Sequence, residues 1–304
     1  MGTVKEAPAI LVLGYRRPKQ IRELLLQLKD ISKKKIYVSL DSAPHNNQKL
    51  SREVHETHEA VKALKEKLDL EVRFAASHMG CYKGVKSAID WFFDRETIGL
   101  ILEDDLKVSE QIIQVSSELI EIAKEDPSIG SISLYRANGY DLNAPPEKML
   151  SYSQYPTSWG WITWRNKWQK IISDVPSGLS AIKLRSVFLS HGGLIGYRRW
   201  DRVAKNLESG ELDSWAYRWL FTHWLLNWNT LVSPINLIEN CGFDGNATHT
   251  KQGISRSITS GSLEKLQEWK ISRIGEDVEA ALLKEIYGIP MFQEYMREKL
   301  IPNG

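Results

Sequence analysis

The sequence predicts an α/β fold, a mostly parallel Rossmann-like central sheet flanked by helices and followed by an aromatic-rich subregion. Three observations carry this expectation. Short apolar runs alternate with segments of helical periodicity from Ala9 to Asp105. The runs are continuous rather than alternating, as in strands buried on both faces. Each strand-like run leads into a polar or Gly-containing loop, the arrangement that places ligands beyond the carboxyl ends of parallel strands.

The elements follow in order. "AILVLGY" (Ala9 to Tyr15) reads as a buried strand, and Pro18 suits the first turn of a helix whose Ile21, Leu24, Leu25 and Leu28 share one face. "KIYVSLDS" is a second strand, ending near Asp41, and a helix with Val54, Val61, Leu64 and Leu68 follows. "LEVRFAA" is a third strand, "HMGCYKG" a loop, "VKSAIDWFF" a helix and "IGLILEDD" a fourth strand. A helix over about 111–124 and the strand "GSISLY" come next. Residues 138–193 read as irregular and rich in aromatics, Pro and Ser. "DSWAYRWLFTHWLLNW" reads as a helix, "TLVSPINLIEN" as strand-like, and the tail from Ser262 as two helices.

Composition narrows the function classes. The chain has 304 residues, with 40 basic against 38 acidic side chains, so its net charge of +2 gives no bulk attraction to nucleic acid or an anionic membrane. Two cysteines, Cys81 and Cys241, in a chain this long point to a reducing compartment, and their spacing carries no zinc signature. "MGTVKEAPAI" lacks a basic segment leading into an apolar one, so no secretory signal is expected. No apolar run approaches the roughly 20 residues of a membrane span. A cytoplasmic protein is the expectation. The 11 Trp, most of them between Trp159 and Trp228, fit either core packing or stacking on a sugar ring.

The predicted sheet places four loops on one rim: Gly14 to Arg17 (including Tyr15), Asp41 to Pro44, Ser77 to Lys83, and Glu103 to Asp105. The last of these is the most informative. Glu103, Asp104 and Asp105 follow directly on the apolar Leu100, Ile101 and Leu102. Three adjacent carboxylates repel one another, so they are either solvated or faced by a cation. Mn²⁺ or Mg²⁺, hard ions often held by one or two carboxylates plus substrate phosphates, would satisfy them.

With these residues in view, "LILEDDLKVS" resembles the Glu-Asp-Asp form of the DxD motif of GT-A glycosyltransferases. The likeness is nearest to a bacterial group of nucleotide-diphospho-sugar transferases. It is similar at greater distance to the animal enzyme family that adds β-1,2-N-acetylglucosamine to α-1,3-mannosyl glycoproteins. "ILVLGYRRP", "VSLDS", "HMGCYKGVKSAIDWFF", "SWGWITWRNKW", "LDSWAYRWLFTHW" and "NCGFDGNATHT" resemble that group's motifs in order, over about Ala9 to Thr250.

The resemblance implies a division into a nucleotide-sugar-binding half (1–135), an acceptor and catalytic-base half (136–253) and a helical tail (254–304). It implies a metal-dependent, inverting transfer from a nucleotide sugar, most simply a UDP-sugar, to a glycan or lipid-linked glycan. A lipid-linked acceptor would bring transient membrane contact. Asp105 would ligate the metal, with Glu103 and Asp104 on the donor's sugar and ribose. Gly14 and Tyr15 would line the nucleotide-sugar site, Arg17 would approach the diphosphate or the base, Asp41 the uracil ring, and His78 and Lys83 the nucleotide and phosphate. Asp213 would be the general base, and His249 a phosphate contact or second metal ligand. Trp159, Gly160 and Trp161 would form an acceptor wall.

Blander readings stand beside these. Asp41 caps a turn, Lys83 is solvated, Asp213 caps the helix beginning at Ser214, His249 is an ordinary loop histidine, and the tryptophans are core. Two rival functions are also open. A sugar-nucleotide nucleotidyltransferase would share the sheet and the acids, but it usually has a Gly-rich basic loop where "GYRRPKQ" has one Gly. A non-catalytic carbohydrate-binding protein would not need the acids.

Overall fold

The computed structural model describes residues 6–44, 47–136, 149–191, 193–242, 257–258 and 270–273. His249 and nearly all of 254–304 lie outside them. The first half alternates as read from the sequence: β1 (Ala9–Gly14), α1 (Pro18–Ile31), β2 (Ile36–Leu40), α2 (Gln48–Lys65), β3 (Leu70–Phe74), α3 (Gly80–Phe93) and β4 (Ile98–Glu103).

Strand β1 shows why its sequence is continuously apolar. Side chains alternate across a sheet with period two. Ile10 and Val12 pack with Ile21, Leu24, Leu25 and Leu28 of α1 and with Val61 and Leu64 of α2. Ala9, Leu11 and Leu13 pack on the other side with Ala88, Ile89, Phe92 and Phe93 of α3. Both faces are covered, and each fully buried Leu or Ile contributes about 1.5–3 kcal/mol of transfer free energy. α1 opens on Pro18, whose missing N–H costs nothing in a first turn, and α2 opens on Asn47, whose Oδ1 accepts from Leu50 N at 3.0 Å.

The second half adds β5 (Leu106–Val108), α4 (Ile112–Lys124), β6 (Ile129–Ser133), β7 (Met149–Ser153), β8 (Trp161–Trp164), α5 (Arg165–Trp168), α6 (Gly178–Ser190), α7 (Gly193–Ser209), α8 (Trp215–Leu226), β9 (Asn229–Val232), β10 (Ile238–Asn240) and β11 (Lys270–Arg273). The main sheet has nine strands in the order β11-β7-β9-β6-β8-β4-β1-β2-β3, with β5 and β10 forming a separate pair. β8 runs antiparallel between β4 and β6, and β7 runs antiparallel to β9; the other five pairings are parallel. The architecture is a Rossmann-like α/β sheet flanked by helices.

Three local readings change. The span 138–193 is not uniformly irregular: it contributes β7, β8, α5 and α6. β8 is only four residues, "WITW", between Gly160 and a helix, too short to show periodicity, and its strand state comes from pairing on both sides, with Ile162 opposite Leu100 and Ile132. "TLVSPINLIEN" divides around Pro234 into β9 in the main sheet and β10 opposite β5, because proline has no N–H for a ladder. β11 is a strand paired with β7 inside the span expected to be helical.

The parallel register fixes the rim. Gly14 pairs with Leu40, Leu13 with Glu103, and Leu40 with Phe74, so β1, β2, β3 and β4 end together. Among the described residues no helix is long and apolar enough to cross a membrane.

Candidate functional site

The acids after β4 meet their counter-charge from β1. Arg17 places one guanidinium nitrogen 2.9 Å from Asp104 Oδ1 and the other 3.2 Å from Asp105 Oδ2. Asp104 Oδ2 also accepts the backbone N–H of Tyr15 at 2.8 Å. Asp104 and Asp105 are buried, at 3% and 8% exposure. Burial dominates the electrostatics of Asp104. It raises the Asp104 carboxyl to about 6, with Arg17 pulling the other way. Burial, then Asp105 and Asp104, also push Glu103 well above the ordinary carboxylate range. Burial disfavours the Arg17 charge, but Asp104 and Asp105 outweigh it and hold the guanidinium protonated. The cation that the acidic triplet demands is thus supplied within the chain.

Asp41 ties the second loop to the third. Its Oδ1 accepts from Ser42 N at 2.9 Å and Met79 N at 3.1 Å, and its Oδ2 lies 3.0 Å from His78 Nδ1. His58 Nε2 stands 3.0 Å from the Asp41 carbonyl oxygen, a geometry in which the ring donates. His78 stacks on Tyr15 with centroids 5.8 Å apart and planes 25° apart. Tyr15, Asp41 and His78 therefore form one aromatic and acidic wall beside Arg17.

The third group is built on the start of α3. The stretch "HMGCYKG", expected to be a loop, is helical from Gly80 onward. A helix start leaves backbone N–H groups without intrahelical partners. Here Asp41 takes Met79 N, while Asp213 takes Cys81 N at 2.7 Å and Tyr82 N at 2.9 Å. Gly80 adopts φ +78, and a Cβ there would sit 2.6 Å from Asp213 Oδ2. So Asp213 does cap a helix, but not its own: α8 has no side-chain cap. Each carboxylate oxygen accepts one N–H, leaving further lone pairs on an exposed group. Cys81 lies between the acids: burial, then Glu103 and Asp213, push its thiol up to about 12, which makes it a packing residue and not a nucleophile.

The structure thus brings Gly14, Tyr15, Arg17, Asp41, His78, Glu103, Asp104, Asp105 and Asp213 to one rim. Lys83 is exposed in the first turn of α3, with no ion pair among the described residues. The acceptor-wall reading of Trp159, Gly160 and Trp161 is corrected by burial. Trp161 is 1% exposed and stacks on Trp215 at 5.4 Å and 17°, and Trp159 meets Tyr135 edge-on at 4.9 Å. Neither offers a ring face to a sugar. Gly160, at φ +63, is required by the close approach of Ile238, whose Cδ1 would be 2.4 Å from an added Cβ. Sequence reasoning missed the Tyr15 amide on Asp104, the Tyr15–His78 stack and Gly242. A Cβ at Gly242 would lie 2.2 Å from Asp105 Oδ2.

Among the described residues, no group of three His, Cys, Asp or Glu is disposed to hold a metal ion unaided. The donor set still suits a hard divalent cation that completes its shell from phosphate and water, with Asp105 and Asp104 as the protein ligands. Such an ion would compete with Arg17 for the same oxygens.

No protein-family model matches the chain, and no curated protein matches it. Among solved structures, one similar chain is a Bacillus anthracis protein assigned as a glucose-1-phosphate thymidylyltransferase, in complex with a sucrose. It is 10% identical over 66% of this chain and 97% of that one, with a TM-score of 0.34. Similarity at that level carries no chemistry across.

Proposed function

We propose that the chain is a glycosyltransferase that moves a sugar from a nucleotide-sugar donor, most simply a UDP-sugar, to a glycan or lipid-linked acceptor. The observation that supports this reading is the convergence on one rim of a wall of Tyr15, Asp41 and His78, the Arg17–Asp104–Asp105 group, and the exposed carboxylate of Asp213. The wall suits a nucleoside, with Asp41 and His78 toward the base. The charged group suits a diphosphate and its metal. Asp213 suits removal of a proton from an acceptor hydroxyl, and a base on the face opposite the leaving group gives inversion.

Mn²⁺ or Mg²⁺, held by Asp105 with Asp104, would supply charge neutralisation to the leaving diphosphate. The chain's own residues do the rest of the work. Arg17 neutralises the buried acids before the donor arrives. Asp41 and Asp213 hold the α3 start rigid, and Asp213 keeps lone pairs toward solvent for the proton of the attacking hydroxyl.

The rival reading is a sugar-nucleotide nucleotidyltransferase, the class named for the B. anthracis structure. In this chain the segment after β1 enters α1 directly through Pro18, without a Gly-rich phosphate loop. One experiment separates the readings. The protein is supplied with UDP-sugars and Mn²⁺, and in parallel with nucleoside triphosphates and sugar 1-phosphates. Release of UDP in the first arm supports the transferase, whereas release of pyrophosphate in the second establishes the nucleotidyltransferase. Glycan binding with no product in either arm leaves a carbohydrate-binding protein.

A further inference from the structure

The α6–α7 hairpin carries a charge bias that the whole-chain balance conceals. Residues 178–209 hold six bases, Lys183, Arg185, Arg198, Arg199, Arg202 and Lys205, against two acids, Asp201 and Glu208. The hairpin is therefore +4, and the remainder of the +2 chain sums to −2. Asp201 is engaged inside the hairpin, 2.8 Å from Lys205 Nζ and 3.5 Å from Arg185 Nε. The positive charge of the chain is thus concentrated in this hairpin, and on α7 the four- and seven-residue spacings put Leu194, Arg198 and Lys205 on one side of the helix.

The same hairpin holds the two most exposed of the large aliphatic side chains among the described residues. Leu194 is 73% exposed and Ile182 65%, and Leu226, at the end of α8, is 42% exposed. Lys183 donates to the carbonyl of Leu225, which brings the end of α8 to Ile182's own turn of α6. Along α6 the exposed arc is centred on Ile182, with Lys183 and Arg185 on either side. Single exposed apolar residues are ordinary on protein surfaces. Aliphatic tips bordered by long basic side chains are the pattern of a surface that rests at a lipid interface, where the tips enter the acyl boundary and the bases remain among the head groups.

We infer that the α6–α7 hairpin is a docking surface for an anionic lipid bilayer. Aliphatic tips favour lipid over nucleic acid, whose single strands are gripped by aromatic stacking. The attraction is local and electrostatic, each base near an anionic surface adding to it within a Debye length, so it weakens with salt. α6 packs on α8, and Asp213 lies two residues before α8. The inference does not depend on the proposed chemistry, because binding needs neither donor nor turnover.

The test is co-sedimentation of the full chain with vesicles of phosphatidylcholine alone and with vesicles in which about a third of the lipid is phosphatidylglycerol. About tenfold tighter partition onto the anionic vesicles is expected, lost at high salt. R198E/R202E should abolish the difference, and I182S/L194S should weaken binding to anionic vesicles at unchanged melting temperature. L194S alone provides a second variant at the most exposed site, well outside the core. Equal partition onto both vesicle types, or anionic binding insensitive to these variants, overturns the inference. So does retention on a nucleic acid with no binding to vesicles.

Discussion

Asp213 holds the first turn of a helix to which it does not belong, accepting the Cys81 amide at 2.7 Å across 132 positions of sequence. The same carboxylate is the candidate general base, and the two roles separate experimentally. Asp213→Asn keeps one carbonyl oxygen for the cap but loses the charge. Stability should fall by about 1 kcal/mol, the scale of a helix cap and its dipole interaction. Transfer should fall about 10²- to 10⁴-fold, the usual contribution of a general base, with donor affinity by calorimetry little changed. Normal turnover in this variant would leave Asp213 as a cap only.

Gly80 tests the geometry of that cap. Replacing it with Ala imposes a left-handed conformation on a residue with Cβ, about 1–2 kcal/mol, and drives the methyl to 2.6 Å from Asp213 Oδ2. Gly210 has nearly the same backbone, φ +79 against +78, with nothing within 4 Å of an added Cβ. Gly210→Ala therefore carries the backbone cost alone. Chemical denaturation should show Gly80→Ala to be the more destabilising of the two, with loss of activity that Gly210→Ala does not share. Equal effects would mean that the Asp213 contact is inconsequential.

In the proposed function a divalent cation would compete with Arg17 for the Asp104 and Asp105 carboxylates. Removing the guanidinium in Arg17→Ala leaves Asp104 and Asp105 buried without it and should cost about 3–5 kcal/mol, as breaking a buried ion pair does. Mn²⁺ alone should then restore more stability to Arg17→Ala than it adds to the unsubstituted protein, read as the melting-temperature shift at one Mn²⁺ concentration. Shifts of equal size in both proteins would place the metal elsewhere.

The first half of this fold is legible in the sequence because its strands are buried on both faces and its helices are amphipathic. β1 and α1 were each readable from a single run of residues. The carboxyl rim followed from topology, and it did gather Asp41 and Asp104; Asp213, which topology did not place there, joins it through the start of α3. What stayed hidden depends on distant partners. β8 is a strand because β4 and β6 flank it, and no local pattern in "WITW" shows this. "HMGCYKG" starts a helix because Asp41 and Asp213 supply acceptors from other loops. Trp161 resembled a sugar platform because sequence does not show which face of an aromatic ring is already covered. The triplet called for a cation, but it did not say that Arg17 would provide one.

His223 gives a pH dependence of known sign. It is fully buried, with Nε2 3.4 Å from Ser131 Oγ, its ring edge-on to Trp219 and Trp228, and burial pushes it down to about 3. Below the unfolded value of about 6.5 the unfolded chain takes up a proton that the folded chain refuses, so this residue's contribution is complete above pH 6.5 and declines as pH falls. Between about pH 7.5 and pH 5 the loss should be about 2 kcal/mol. Asp104 acts in the opposite sense: raised to about 6, it holds its proton in the folded state, and stability falls as pH rises from about 4 to 6. Glu103, also raised, acts in the same sense as Asp104, so the raw stability curve of the protein mixes all three. The difference between the protein and His223→Asn cancels both acids and leaves the histidine. Denaturant titrations at the two pH values should show the protein losing about 2 kcal/mol more than His223→Asn on acidification. Parallel curves would mean that His223 takes up a proton in the folded state as readily as in the unfolded one.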